Sequence, residues 1–159
     1  MHIEEKDVYF HELDTSKIVD ATVILDIDGT ITCSSHTKID EKVRQKIRCL
    51  EERNSVYVFS NNHNKERSRK IAHDLKLPYI ASPHKKPNKK VLSFIEGYTC
   101  PVVVIGDKYL TDTLFAQFID ARHIRVRRYK CATDSFMDRI GCLFDDAVYA
   151  VAKLLHLVS

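Results

Sequence analysis

The chain has 159 residues, 44% apolar and 30% charged, with a formal net charge of +3. That is the size and balance of one globular domain and excludes low-complexity or collagen-like classes. No apolar run approaches the roughly 20 residues that span a bilayer. Residues 147–158 come nearest but are broken by Lys153 and His156. The acidic N-terminus MHIEEKDVYF shows no apolar signal core and no Arg-rich transit pattern. The expected domain is a single unit over residues 1–159.

In chain order, 22–25 (TVIL) is a continuous apolar run, read as a strand buried on both faces. An amphipathic helix is expected over 40–53, with Val43, Ile47 and Leu50 on one side and Asp40 as its cap. A second strand follows at 56–59 (VYVF), then a helix over 64–75. A weaker strand is expected at 78–80 and a helix over 88–96, after Pro87. The strongest strand is 101–105 (PVVVI), followed by a helix over 110–118, a weak strand at 123–126 and a last helix over 136–157. In that helix Phe144, Val148, Val151, Leu154, Leu155 and Val158 form the apolar stripe, read as core or partner contact. Alternating strands and helices predict an α/β fold: a mainly parallel sheet of about five strands, helices on both faces, in three Rossmann-like layers.

Ligands of such sheets sit at the carboxyl ends of the strands. The first strand ends in Asp26-Ile27-Asp28-Gly29-Thr30, and Gly29 permits a turn on which both carboxylates converge. Mg²⁺ would lower the cost of gathering acids there, since it favours oxygen ligands. The second strand ends in Ser60-Asn61-Asn62, Lys85-Lys86-Pro87 precedes the third helix, and the strongest strand ends in Gly106-Asp107, with Asp112 beyond. Acids, a hydroxyl and a lysine are a sufficient inventory for phosphoryl transfer. A carboxylate attacks phosphorus, the hydroxyl and lysine hold its oxygens, and a second carboxyl manages the proton.

These residues, in this order over about 20–130, resemble the haloacid dehalogenase superfamily of phosphatases. D-I-D-G-T matches its first motif, implying Asp26 as nucleophile and metal ligand and Asp28 as acid/base. The same match implies Thr30 as loop support beside the substrate and the Asp28 carbonyl as a Mg²⁺ ligand. Ser60, with Asn61 beside it, matches the phosphate-binding second motif. Lys86 matches the third-motif lysine, with Lys85 as its rival. G-D-K-Y-L-T-D matches the fourth, implying Asp107 as a metal ligand and Asp112 as a supporting acid. Only 29 residues separate Thr30 from Ser60 and 25 separate Ser60 from Lys86, which leaves no room for a cap domain. An uncapped site suits a large or membrane-presented substrate. S-N-N, K-P and G-D-x-x-x-T-D resemble the IIIA phosphatases, and among them the phosphatidylglycerophosphate phosphatase branch. Gly29 stands where that branch usually has Asn.

The resemblance implies a Mg²⁺-dependent phosphomonoesterase acting through an aspartyl-phosphate. Alternatives are a polynucleotide-end or phosphoprotein phosphatase, or a non-catalytic phosphate-binding module. A receiver-type signalling module carries similar residues in a different order. Basic residues crowd 63–90 and 122–130 while six acids lie in the first twenty, an asymmetry that suggests an anionic partner such as an anionic membrane surface; nucleic acid ranks lower. His63 and His84 flank the second and third motifs. Cys33, Cys49, Cys100, Cys131 and Cys142 are widely spaced and contain no C-x-x-C, so they read as reduced thiols without a zinc motif, and Cys33, just after the first motif, reads as inert. The implied location is intracellular and reducing, either the cytoplasm or the mitochondrial matrix or membrane surface.

Overall fold

The computed structural model describes residues 3–132 and 134–155. Five strands, β1 (Ile3–Glu5), β2 (Thr22–Asp26), β3 (Ser55–Phe59), β4 (Val102–Gly106) and β5 (Arg122–Arg125), form one parallel sheet in the order β1-β5-β4-β2-β3. The central pair runs in register from Thr22 opposite Val102 to Leu25 opposite Ile105. Every residue of β2 and β4 is buried, as their unbroken apolar runs require of strands covered on both faces.

Alternation along these strands divides the core. Val23, Leu25, Val103 and Ile105 pack on one face with α1 (Glu41–Glu51) and α2 (Lys65–Leu75). Ile24, Val102 and Val104 pack on the other with Phe59, Val91, Phe115 and Ala116. Helix α1 buries Val43, Ile47 and Leu50, worth roughly 5–9 kcal/mol together as an upper figure. The Asp40 side chain caps it by accepting from the Lys42 amide at 2.8 Å. Asn64 caps α2 in the same way, through the Arg67 amide. The β2–β3 and β3–β4 connections hold α1 and α2 and no inserted cap domain.

Several expected elements differ. Residues 78–80 are no ladder strand; they touch the sheet through a single bridge from Val58 to Tyr79. The fifth strand is instead β1, whose three residues are too few to show a pattern. It is held against β5 partly by the Arg122 guanidinium, 2.7 Å from Glu4. The expected helix at 88–96 is a 3₁₀ helix, Lys89–Phe94. The helix at 110–118 is a wide π turn, Tyr109–Thr113, running into the short α3 (Leu114–Phe118).

The last helix, α4 (Phe136–Leu154), is turned differently from the expectation. It buries Asp145, Tyr149 and Ala152, whereas Phe144, Val151, Leu154 and Leu155 of the expected stripe are exposed; Val158 lies outside the described residues. Polar bonds fix that orientation. The Asp145 carboxylate accepts from the amides of Tyr109 and Leu110 at 2.9 and 2.8 Å, and the Arg125 guanidinium lies 3.9 Å from the Tyr149 ring centre. The cysteines also depart from the expectation. Cys33 and Cys131 are joined in a disulfide, their Cα atoms 6.0 Å apart and 98 residues apart in sequence, a separation at which spacing carries no signal. Cys49, Cys100 and Cys142 are free.

Candidate active site

β2 delivers Asp26 to the carboxyl edge of the sheet, and a tight turn follows. The Ile27 carbonyl accepts from the amides of Thr30, Ile31 and Thr32, and the Gly29 amide donates to the Thr32 carbonyl at 2.8 Å. Gly29 has φ +88°, and a Cβ there would lie 2.7 Å from Asp107 Oδ2. Only a residue without a side chain lets the first-motif turn close onto the end of β4. The buried Thr30 hydroxyl lies between the two acids, 3.5 Å from Asp26 Oδ2 and 3.3 Å from Asp107 Oδ1.

Lys86 is fully inside the site, and its rival Lys85 is not. The Lys86 ammonium donates to Asp26 Oδ1 at 2.6 Å and to Asp112 Oδ1. Lys85 instead lies 3.5 Å from the exposed His63 ring. Asn61 positions the lysine loop: its amide nitrogen donates to the Lys86 carbonyl and its oxygen accepts from the Lys86 amide, each at 2.8 Å. Asp112 reaches Lys86 because Gly106 leaves the space; a Cβ on Gly106 would lie 2.3 Å from the Asp112 carboxyl carbon.

Asp28 points to the other side of the turn. Its Oδ2 accepts from the Ser60 hydroxyl at 2.5 Å and its Oδ1 from Arg67 Nη1 at 2.7 Å. The Asp28 carbonyl faces Lys108, whose ammonium lies at 3.5 Å. Asp26, Asp28, Thr30, Ser60, Asn61, Lys86, Asp107 and Asp112 thus converge at one end of the sheet.

Three cations escaped the sequence reading. Arg67 falls within the basic run 63–90, yet its spacing to Ile71 and Leu75 puts it on the buried stripe of α2. Lys108 lies inside the fourth motif. Arg128, just past β5, donates to Asp107 Oδ2. With Lys86 they balance the four acids. The other arginines of the second basic stretch also pair internally, Arg127 with Asp7 at 2.9 Å and Arg125 with Asp146 at 3.1 Å.

Burial dominates the titration of this cluster. It pushes Asp26 up to about 7, against the pull of Lys86 and with added repulsion from Asp112. Burial works against the ammonium of Lys86 too, but Asp112 and Asp26 outweigh it and hold the pKa above the ordinary lysine value. Burial would raise Asp112, yet Lys86 keeps it below the ordinary carboxylate value.

The donors suit a hard divalent cation. One carboxylate oxygen each from Asp26, Asp107 and Asp112 lies within 4.8 Å of the others. Each of these acids also has a cationic partner, Asp26 and Asp112 in Lys86 and Asp107 in Arg128. A cleft lined by Asp26, Asp28, Ser60, Asn61, His63 and Lys108 opens above them. A separate cavity of about 320 Å³, which shares Asp28 and Lys108 with the cleft, is lined by Arg128 and by Leu143 of α4.

An uncapped parallel sheet with this order of Asp, Ser, Lys and Asp at its carboxyl end defines a phosphatase of the haloacid dehalogenase class. The sequence model described as mitochondrial PGP phosphatase matches residues 4–128, and the chain belongs to that family. No curated protein matches the sequence. Among solved structures, the putative HAD-hydrolase YfnB from Bacillus subtilis, a magnesium-bound crystal form, is similar at 12% identity and a TM-score of 0.48, covering 65% of this chain and 85% of that one.

Proposed function

We propose that the protein is a Mg²⁺-dependent phosphomonoesterase that passes through an aspartyl-phosphate on Asp26 and acts on a membrane-presented lipid phosphate of the phosphatidylglycerophosphate kind. The observation that carries the chemistry is the buried Asp26 carboxylate held by Lys86 at 2.6 Å at the floor of an open cleft. An Asp26 oxygen attacks phosphorus in line with the leaving oxygen. Lys86 orients that carboxylate and neutralises charge gathering on the phosphoryl oxygens. Asp28 gives a proton to the leaving oxygen, then takes one from the water that hydrolyses the acyl-phosphate. Ser60 and Arg67 hold Asp28 in place through bonds of 2.5 and 2.7 Å to its two oxygens. Bound Mg²⁺ supplies positive charge that offsets the repulsion between the Asp26 carboxylate and the phosphate.

Two observations favour a lipid. The site has no cap, and α4, whose Leu143 lines the cavity, exposes Phe136, Met137, Leu143 and Phe144 beside it, Leu143 by 70%. No helix among the described residues is long and apolar enough to cross a membrane, so attachment through that face is peripheral in this reading. The family's mitochondrial members favour a matrix-facing membrane surface over the cytoplasm.

The test is phosphate release from detergent-dispersed phosphatidylglycerophosphate, a 3′-phosphorylated oligonucleotide, a phosphopeptide and an aryl phosphate. It compares the wild type with Leu143→Asp/Phe144→Asp. Preference for the lipid, reduced in the variant while aryl phosphate turnover is kept, supports the reading. Preference for the oligonucleotide or the phosphopeptide contradicts it.

A further inference from the structure

We propose that Cys33, His36 and Cys131, once the disulfide is reduced, form a second metal site that takes a thiophilic divalent cation such as Zn²⁺. The proposal is independent of the catalytic assignment.

The three side chains come from two segments, the loop after the first motif and the segment after β5. Their donor atoms lie within 4.8 Å of one another. His36 Nδ1 is 3.9 Å from Cys131 Sγ. Tetrahedral zinc, with bonds of about 2.3 Å to sulfur and 2.0 Å to nitrogen, needs donors separated by roughly 3.5–3.8 Å. The imidazole is therefore already near its place, and the sulfurs need only part to that separation when their bond is cut. Cys33 is buried, Cys131 is half-buried and His36 is exposed, so the group opens on one side to a fourth ligand.

Bonds other than the disulfide brace each segment, and the backbone bond from Tyr129 to Gly29 joins the two. Arg67 donates to the Cys33 carbonyl at 2.8 Å and, through Nη2 and Nε, to the His36 carbonyl at 2.6 and 2.9 Å. The Tyr129 amide donates to the Gly29 carbonyl at 2.7 Å. The Cys131 amide donates to Asp134 Oδ2 at 2.8 Å, and Asp134 Oδ1 is buried without a hydrogen-bond partner.

Chemistry separates this site from the acidic one. Two thiolates and an imidazole are soft donors that select zinc, whereas the carboxylates and carbonyl at Asp26, Asp28 and Asp107 select Mg²⁺. Reduction consumes two thiols: the Cys33–Cys131 bond breaks, two cysteine thiols form, and the reductant leaves as its own disulfide. Metal binding then displaces a proton from each thiol. The reverse exchange with a small-molecule disulfide re-forms the Cys33–Cys131 bond, leaves that molecule as two thiols and expels the metal.

The test is a Co²⁺ and Zn²⁺ titration of the reduced protein, desalted anaerobically, in excess Mg²⁺. Expected are one equivalent of Co²⁺ with a thiolate-to-cobalt charge-transfer band, its displacement by Zn²⁺, and protection of two of the five cysteines from a thiol reagent. Cys131→Ser and His36→Ala, at positions that are not buried, should keep the fold by circular dichroism and lose at least about a hundredfold in affinity. A reduced wild type with no band and five reactive thiols in excess Zn²⁺ overturns the proposal. So does a band unchanged in Cys131→Ser. Neither readout depends on turnover.

Discussion

Lys86 donates a 2.6 Å hydrogen bond to Asp26 across 60 residues of sequence, and the same ammonium bonds Asp112. One buried cation thus neutralises both the carboxylate proposed as nucleophile and the acid behind it. Removing it by Lys86→Met leaves two buried carboxylates without their partner. The expected cost is about 3–5 kcal/mol of stability by urea unfolding, with phosphate release at background. Unchanged stability would show that the two acids are held by other groups.

Gly29 is where the first-motif turn meets the end of β4. In Gly29→Ala the new Cβ meets Asp107 Oδ2 at 2.7 Å, and φ +88° is strained for any side chain. The strain is about 1–3 kcal/mol. The variant should require far more Mg²⁺ for half-maximal activity, because Asp107 is pushed from the turn. A Mg²⁺ titration superimposable on the wild type would show that the two ends of the sheet need not touch.

Arg67 joins Asp28 to the loop carbonyls of Cys33 and His36 through a planar fork that lysine cannot copy. Arg67→Lys should therefore lower turnover well beyond any change in KM, while Arg67→Met should also unfold at lower denaturant. Full activity in the lysine variant would reduce Arg67 to a charge partner only.

These predictions rest on residues of unequal legibility. The acids, Ser60 and Lys86 could be read because each stands at the end of an apolar run or beside a proline, so local pattern gave their place in the fold. Arg67 and Arg128 could not be read as site residues, because a basic residue on a helix or past a short strand normally meets solvent; only the packed sheet brings them to Asp28 and Asp107. The edge strand β1 is too short for periodicity. The orientation of α4 depends on Asp145 receiving two amides of the π turn, a contact between distant segments. The Cys33–Cys131 pair was hidden for the same reason.

His123 sets an acid limit on stability. Burial holds its imidazole down at about 4, with Arg125 and Lys86 adding to the depression and Asp112 opposing it; the ring bonds the Thr113 hydroxyl at 3.0 Å. The unfolded state takes up the proton near 6.5 and the folded state near 4. Stability from the neutral ring is therefore complete above about pH 6.5 and lost as pH falls towards 4, by about 3 kcal/mol in all. Urea unfolding of wild type and His123→Gln across that window should give curves that converge on acidification. A constant gap would contradict this reading.

The most direct measurement is Mg²⁺-dependent phosphate release from an aryl phosphate by wild type and Asp26→Asn, with the fold of the variant checked by circular dichroism. The asparagine keeps the shape and removes the nucleophile. The account predicts turnover in the wild type only with Mg²⁺, and a fall of at least about a thousandfold in the variant. Comparable turnover in a folded Asp26→Asn protein would contradict the aspartyl-phosphate account at its centre.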